Sequence, residues 1–426
     1  MGLAAILCSC AKVEQTPQAE FSCPIGAYQQ SDDIVIVYDR APVPDARKPA
    51  YVFLDGRRGE FGSDEALLDC NASELTMVGG PAFKKVDIEE RDVEFLSSGI
   101  ALQGRLFSSS KDRTRGETLA VIVHGSERTG MLDRYYMPYM LAAQGVTVFA
   151  YDKRGTGRSG GAYTQNFDVL ARDASKALET ALEMRETLFD SVGFIGFSQG
   201  GWVAPLAATM TETDYLVVGY GLLMSPLEED EEQVAQEMLE LGYGEADRAK
   251  ARRLAIAAGE VVANRFDAGV DDFLDIRAAY SEESWINLIE GEFTGDLLRA
   301  SQEELRAGDV GDLKDAELMW RHDAYGVVRS LSIPQYWILA GEDREAPGQV
   351  TQQRLQQLQD EGKPVFFAVY PDTDHGIVQH TVSEGGARTY TGYPNGYFRL
   401  LADAAQQSLD ESYDGAFVRF PGRGPD

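Results

Sequence analysis

Gly196-Phe197-Ser198-Gln199-Gly200 sets a serine between two glycines, after the apolar run Ser191–Phe197 and before the helix-forming stretch Trp202–Met210. Where a strand turns sharply into a helix, the residue between them projects above the sheet. Its neighbours must be small, because a Cβ at position 196 or 200 would crowd the turn. The helix N-terminus also aims amide N–H groups at any negative charge that develops beside the serine. This pattern serves nucleophilic attack by a hydroxyl. A hydroxyl is a weak nucleophile, so it needs a base, and the base needs an orienting carboxylate.

The chain has four histidines. His375, in PDTDHG, follows the last apolar strand, in the loop from which a base would reach Ser198. His124 ends the strand in VIVHG and reads as a structural residue below the oxyanion region. His322 falls at the edge of a helical segment, and His380 is the weaker alternative base. Asp343, in ILAGED, follows the penultimate strand and is the expected acid. Glu342, Asp372 and Asp374 compete with it, although Asp374 adjoins His375, and adjacent side chains seldom make the required bond to Nδ1. Acyl transfer also needs donors for an oxyanion. The expected ones are the amides of Gln199 and of Ser126 in HGSERTG.

GTGRSG, from Gly155 to Gly160, has the spacing of a dinucleotide-binding loop. It lacks the context, because DKR separates it from the strand and the next helix begins only near Asn166. No cofactor and no metal are expected.

These residues must be positioned by elements of two kinds. Residues 24–86 carry short aromatic and β-branched runs broken by Gly, Pro and Asp, including Asp33–Asp39, Ala50–Gly56 and Glu74–Gly80. They read as a small β-rich N-terminal domain with a packing, oligomerisation or substrate-flanking role. From residue 87 a two-strand unit around Ser97-Ser98-Gly99 leads into alternating strands and helices, with an amphipathic stretch holding Tyr135, Met140 and Leu141 after the HGS strand. Alternation of this kind predicts an α/β fold with a doubly wound, mostly parallel sheet. It breaks off at about 227–321, where a charged helical stretch reads as an inserted cap. The five acidic residues Glu228–Glu232 read there as a solvated helix start. Tyr243, Phe266, Phe273, Tyr280, Trp285 and Phe293 would either line an apolar pocket or form the cap's own core.

The chain has 426 residues, 44% of them hydrophobic and 25% charged, which is the composition of a globular protein. A net charge of −30 excludes a nucleic-acid partner and leaves a solvated acidic surface, adaptation to salt, or the handling of cationic substrates. No apolar run is long enough to span a bilayer. Residues 1–23 resemble a lipoprotein export signal with a lipid anchor at Cys10, preceded by Cys8, though no positive charge opens the segment. An ordinary N-terminal tail and a cytoplasmic location are the alternative. Cys23 and Cys70 then remain, either as a disulfide suited to an exported, periplasmic or anchored protein or as two free thiols.

Taken in order, VIVHGS, YDKRGTGRSGG, GFSQGGW, GED and DHG resemble the α/β-hydrolase superfamily over residues 88–410. EFLSSGIALQGRLF and YDKRGTGRSGG resemble its bacterial exported serine esterases with an extra N-terminal domain. The resemblance implies Ser198 as nucleophile, His375 as general base and acid, and Asp343 as orienting acid. The activity it implies is hydrolysis of small carboxylic esters of short to medium acyl chain, with peptidase or thioesterase activity as the alternative. One departure is HGSERTG, where a glycine often follows the serine. Oligomeric state is not legible.

Overall fold

Residues 23–40, 49–71, 74–109, 117–133, 135–184, 188–314, 317–410 and 412–421 are described by a computed structural model. The segment read as an export signal, with Cys8 and Cys10, lies outside them except for its last residue, Cys23.

Wholly apolar runs are stable as strands only where both faces of the sheet are covered. Thr118–Val123 and Thr147–Tyr151 are buried at every residue. They lie inside a nine-stranded sheet with the spatial order Phe417–Arg419, Val365–Tyr370, Gln335–Ala340, Tyr215–Gly219, Ser191–Phe197, Thr118–Val123, Thr147–Tyr151, Ile100–Ser109, Ile88–Ser97. The strands from Thr118 to Tyr370 are parallel. The hairpin Ile88–Ser97/Ile100–Ser109 and the strand Phe417–Arg419 close the two edges antiparallel.

From Thr118–Val123 the chain goes to Thr147–Tyr151 on one side, then crosses to Ser191–Phe197 on the other. Such a reversal opens a crevice beyond the C-terminal strand ends. The loop bearing Ser126 and the turn bearing Ser198 both emerge there.

The crossover helix Phe167–Glu183 is capped by Asn166, whose side chain accepts the Val169 N–H at 3.1 Å. It buries Leu170, Ala174, Ala177, Leu178 and Ala181 against the sheet. The expected amphipathic helix after the HGS strand is instead short, Met137–Ala142, and buried at every residue. Its second face is covered by the N-terminal strands and by Phe398 and Leu401 of the last helix, Tyr397–Ala405, so it has no polar side. The apolar run after Asp214 forms a strand only as far as Gly219; Tyr220 takes φ 41° and the chain turns toward the cap.

The N-terminal strands form a seven-stranded sheet running from Arg58–Glu60 at one edge to Leu68–Asn71 at the other. Alternation gives it two apolar faces. Val35, Val37, Tyr51 and Phe53 point into a core of its own. Ile34, Ile36 and Val52 join the main core beside Met137 and Tyr139. Cys23 and Cys70 form a disulfide.

The insertion carries the helices Pro226–Glu240, Glu245–Ala263, Val270–Ala279, Thr294–Arg299 and Gln302–Ala307. The first begins with a capping box between Ser225 and Glu228 and with Pro226 in the first turn, which accounts for the sharp change from strand alternation to helix. Phe266, Phe273, Trp285 and Phe293 are buried in the cap's own cluster. They are not a pocket wall. No helix among the described residues is long and apolar enough to cross a membrane.

The disulfide closes a loop with a sequence separation of 47 residues. Replacing Cys23 and Cys70 by serine should lower stability by about 2 to 4 kcal/mol, read from denaturant unfolding of the two proteins.

Candidate active site

Ser198 stands where the strand Ser191–Phe197 meets the helix Gly200–Ala208, with φ 52°. Its N–H donates to the Gly219 carbonyl at 3.1 Å, and its own carbonyl accepts from the Gly201 N–H at 2.7 Å. A Cβ on Gly196 would lie 2.2 Å from the Gly200 carbonyl oxygen, and one on Gly200 would lie 2.2 Å from that of Val123. Both glycines are therefore required by close backbone approach.

His375 lies 3.1 Å from Ser198, Nε2 to Oγ. Its Nδ1 lies 3.0 Å from Oδ2 and 3.2 Å from Oδ1 of Asp343. With Nδ1–H directed at the carboxylate, Nε2 is left as the acceptor for the serine hydroxyl. Asp343 is buried, and its Oδ1 also accepts the N–H groups of Glu345 at 3.0 Å and Ala346 at 2.7 Å. Burial opposes charging of the imidazole, but the Asp343 carboxylate, with Glu345 and Asp374, outweighs it and raises the His375 pKa to about 9. Tyr220 packs edge-on against the imidazole, at 5.0 Å between centroids.

The competing residues go elsewhere. Asp374 does not reach the imidazole ring; it accepts the His375 N–H at 2.9 Å, the Arg344 N–H at 3.1 Å and the Tyr390 hydroxyl at 2.7 Å. Its charge is balanced by Arg388 at 2.6 Å, a pair whose two side chains are both buried. Burial alone would raise the Asp374 pKa; Arg388 and these donors bring it down to about 2. Arg388 also donates to the Glu342 carbonyl at 2.8 Å, so one guanidinium ties the histidine loop to the Asp343 loop. Arg388 carried no signal in the sequence, because it comes from a hairpin, Val378–Val382/Arg388–Tyr390, that follows the histidine. His380 lies on this hairpin, 3.1 Å from Glu342. Asp372 is exposed. His124 is buried beside Glu127, its pKa lowered by burial, and His322 packs edge-on against Phe167.

Gln199 and Ser126 line the same cavity as Ser198. The loop bearing Ser126 is pinned by its carbonyls. Lys153 Nζ donates to the Gly125 carbonyl at 2.7 Å, and the Tyr163 hydroxyl to the Ser126 carbonyl at 2.7 Å. In a planar trans peptide the Ser126 N–H points away from the Gly125 carbonyl, so Lys153 fixes that donor's direction from behind. Lys153 is buried, and burial lowers its pKa to about 8. The glycine-rich loop beside it is occupied by protein. The Asp152 carboxylate accepts the N–H groups of Met131 at 2.7 Å, Leu132 at 3.0 Å and Arg158 at 2.8 Å, which leaves no phosphate cradle.

Two contacts tie the helical insertion to the loops of the site. Gln236 donates to the Asp343 carbonyl at 3.2 Å, and Arg128 of the Ser126 loop pairs with Asp312 at 2.9 Å. Beyond His375, a second cleft is walled by Tyr38, Arg58 and Glu60 of the N-terminal sheet and by Val378 and Tyr390 of the hairpin.

A doubly wound sheet with a serine turn at its switch point defines a hydrolase of the α/β class. Residues 120–384 match the alpha/beta hydrolase family, and the chain belongs to it. No curated protein matches it in sequence. Among solved structures, a Pyrococcus furiosus esterase is similar over 68% of this chain and 84% of its own, at 16% identity and TM-score 0.41. A Pyrococcus horikoshii acylaminoacyl peptidase is similar over 91% of this chain and 57% of its own, at 15% identity and TM-score 0.45. A hypothetical protein from Pseudomonas aeruginosa is similar over 76% of this chain and 94% of its own, at 14% identity and TM-score 0.43.

Lys153→Met should free the Ser126 loop and lower kcat for hydrolysis by about tenfold to a hundredfold, a part of the loss expected when one oxyanion donor is removed. KM should change less than kcat. An unchanged kcat would mean that the donor does not depend on Lys153.

Proposed function

We propose that the protein is a serine hydrolase that cleaves small carboxylic esters through an acyl-enzyme. The hydrogen-bonded relay from Ser198 Oγ through His375 to Asp343, standing at the sheet's switch point, carries this reading. Ser198 attacks the ester carbonyl as His375 Nε2 takes the hydroxyl proton. The imidazolium is stabilised by Asp343 and gives that proton to the departing alkoxide. Water then attacks the acyl-enzyme, giving a proton to His375, and the acid leaves as Ser198 is reprotonated. The N–H groups of Gln199 and Ser126 receive the oxyanion in both steps. The cavity beside Ser198 has about 60 Å³ of free space, which supports a preference for short acyl groups. The Cys23–Cys70 disulfide supports a site of action outside the reducing cytoplasm.

Ser198→Ala should lower kcat/KM for p-nitrophenyl acetate and butyrate by at least about 10³-fold. Wild-type activity should fall as the acyl chain lengthens. Full activity in the variant would overturn the assignment of the nucleophile.

Only the neutral imidazole accepts the serine proton, so activity is lost as pH falls through the His375 pKa. Because that pKa is raised, the acid limb of kcat/KM should lie above imidazole's ordinary 6.5. The Glu345 charge helps hold the imidazolium proton. Glu345→Gln should therefore move the limb toward lower pH, measured on a neutral ester in wild type and variant.

A further inference from the structure

The cavity that opens on Ser198 is acidic. Glu229 and Glu292 of the helical insertion and Glu345 of the Asp343 loop line it, and among the described residues no lysine or arginine does. The neighbours of Glu229 in the acidic run have protein partners. Glu228 pairs with Arg354 at 2.5 Å and Glu232 with Arg252 at 2.7 Å. Asp230 accepts the N–H groups of Phe293 at 2.9 Å and Thr294 at 3.0 Å. The run is thus more than a solvated helix start, because one member faces the candidate active site. Among the described residues, neither Glu229 nor Glu292 makes an ion pair or a side-chain hydrogen bond. Glu345 lies 3.6 Å from His375 Nε2, the atom that serves the leaving group.

Carboxylates brought together without a counter-charge are costly, and the His375 imidazole beside Glu345 and Glu292 supplies one only when protonated, the state in which it cannot act as a base. Burial, then the charges of Glu292, Glu345, Asp343 and Asp230, push the Glu229 pKa well above the usual range. Burial, then Glu345 and Asp230, raise that of Glu292 to about 7. An independent feature points the same way. Gln199, 5% exposed, lines this cavity, and its buried side-chain Oε1 accepts no hydrogen bond among the described residues. Carboxylates and an unused carbonyl oxygen are all acceptors, the complement of an N–H-bearing cation. Trp202 and Tyr220 complete the wall with aromatic surface, which also attracts cations.

We propose that the substrate is an ester carrying an ammonium group, seated among Glu229, Glu292 and Glu345 while Ser198 attacks its carbonyl. This rests on the serine-hydrolase reading and names its substrate class. The ammonium supplies the missing counter-charge, so it selects substrates rather than taking part in bond cleavage.

The test compares isosteric pairs by titrating the acid released. Alanine methyl ester against methyl isobutyrate places the charge on the acyl side. Protonated 2-(dimethylamino)ethyl acetate against 3-methylbutyl acetate places it on the leaving side. The cationic member of at least one pair should be preferred by at least about tenfold in kcat/KM, the scale of one charge-assisted contact. The double variant Glu229→Gln/Glu292→Gln should bring that ratio to within about threefold. Labelling of Ser198 by a fluorophosphonate separates the two readings. If the serine is labelled but neither cationic ester is preferred, the ammonium proposal is overturned and the serine-hydrolase reading stands. If there is neither labelling nor hydrolysis, both fall. A preference that survives in the double variant would overturn the assignment to these carboxylates.

Discussion

The backbone of the serine turn lies against the end of the strand Thr118–Val123 with no space for a side chain between them. A Cβ on Gly200 would meet the Val123 carbonyl at 2.2 Å. That contact sets the separation between Ser198 and the loop that follows the neighbouring strand. It holds because the two strands are paired in register along their whole shared length, Thr118 with Ser191 through Val123 with Gly196. The positive φ of Ser198 is the local cost of this arrangement, kept in place by the ladder on either side. A serine presented this way needs no movement of its own to meet an incoming carbonyl. The partner loops are each tied by a buried charge.

Those ties differ in kind. Lys153 holds the Ser126 loop through a carbonyl, a charge-assisted bond made in a dry place. Arg388 holds the histidine loop through Asp374 and reaches the acid's loop through the Glu342 carbonyl. A buried ion pair contributes little net stability compared with apolar packing, yet it is directional, and losing one partner leaves the other uncompensated. Here direction matters more than stability: the two loops that must present an imidazole and a carboxylate to each other share one guanidinium. The cap follows the opposite rule. Among the described residues its carboxyl groups beside Ser198, Glu229 and Glu292, have no ion-pair partner, so the fold pairs charge where it positions groups and leaves acids unpaired where a substrate would sit.

Much of this was readable in the sequence, for physical reasons. The glycines around Ser198 mark a turn whose crowding is a local property, and His375 and Asp343 were picked as candidates by their places just past the last two parallel strands, with Asp374 set aside because it adjoins the histidine. The unbroken apolar strands announced a covered parallel sheet. What could not be read depends on distant partners. Nothing near Arg388 in the chain reveals that it faces Asp374, and Lys153 looked like a mere interruption between a strand and its glycines. The helix Met137–Ala142 was expected to be amphipathic because periodicity cannot show that a second sheet covers its outer face. The acidic run Glu228–Glu232 is uniform as a string, whereas in space its members separate into paired and unpaired by the angle at which the helix meets the cavity.

The inner face of the N-terminal sheet has a consequence for how the protein is made. Ile36 and Val52 share a core with Tyr397 and Phe398, and the Tyr393 N–H donates to the Gly56 carbonyl at 3.0 Å. These N-terminal strands therefore meet part of their cover only when the helix Tyr397–Ala405 has been synthesised. Until then that apolar face is only partly covered, by the helix Met137–Ala142, and strands in that condition invite pairing with other chains. The outer face, with its own core and its disulfide, can be completed early. The order of synthesis thus divides one sheet into a side that can close on itself and a side that waits for a helix more than three hundred residues further along the chain.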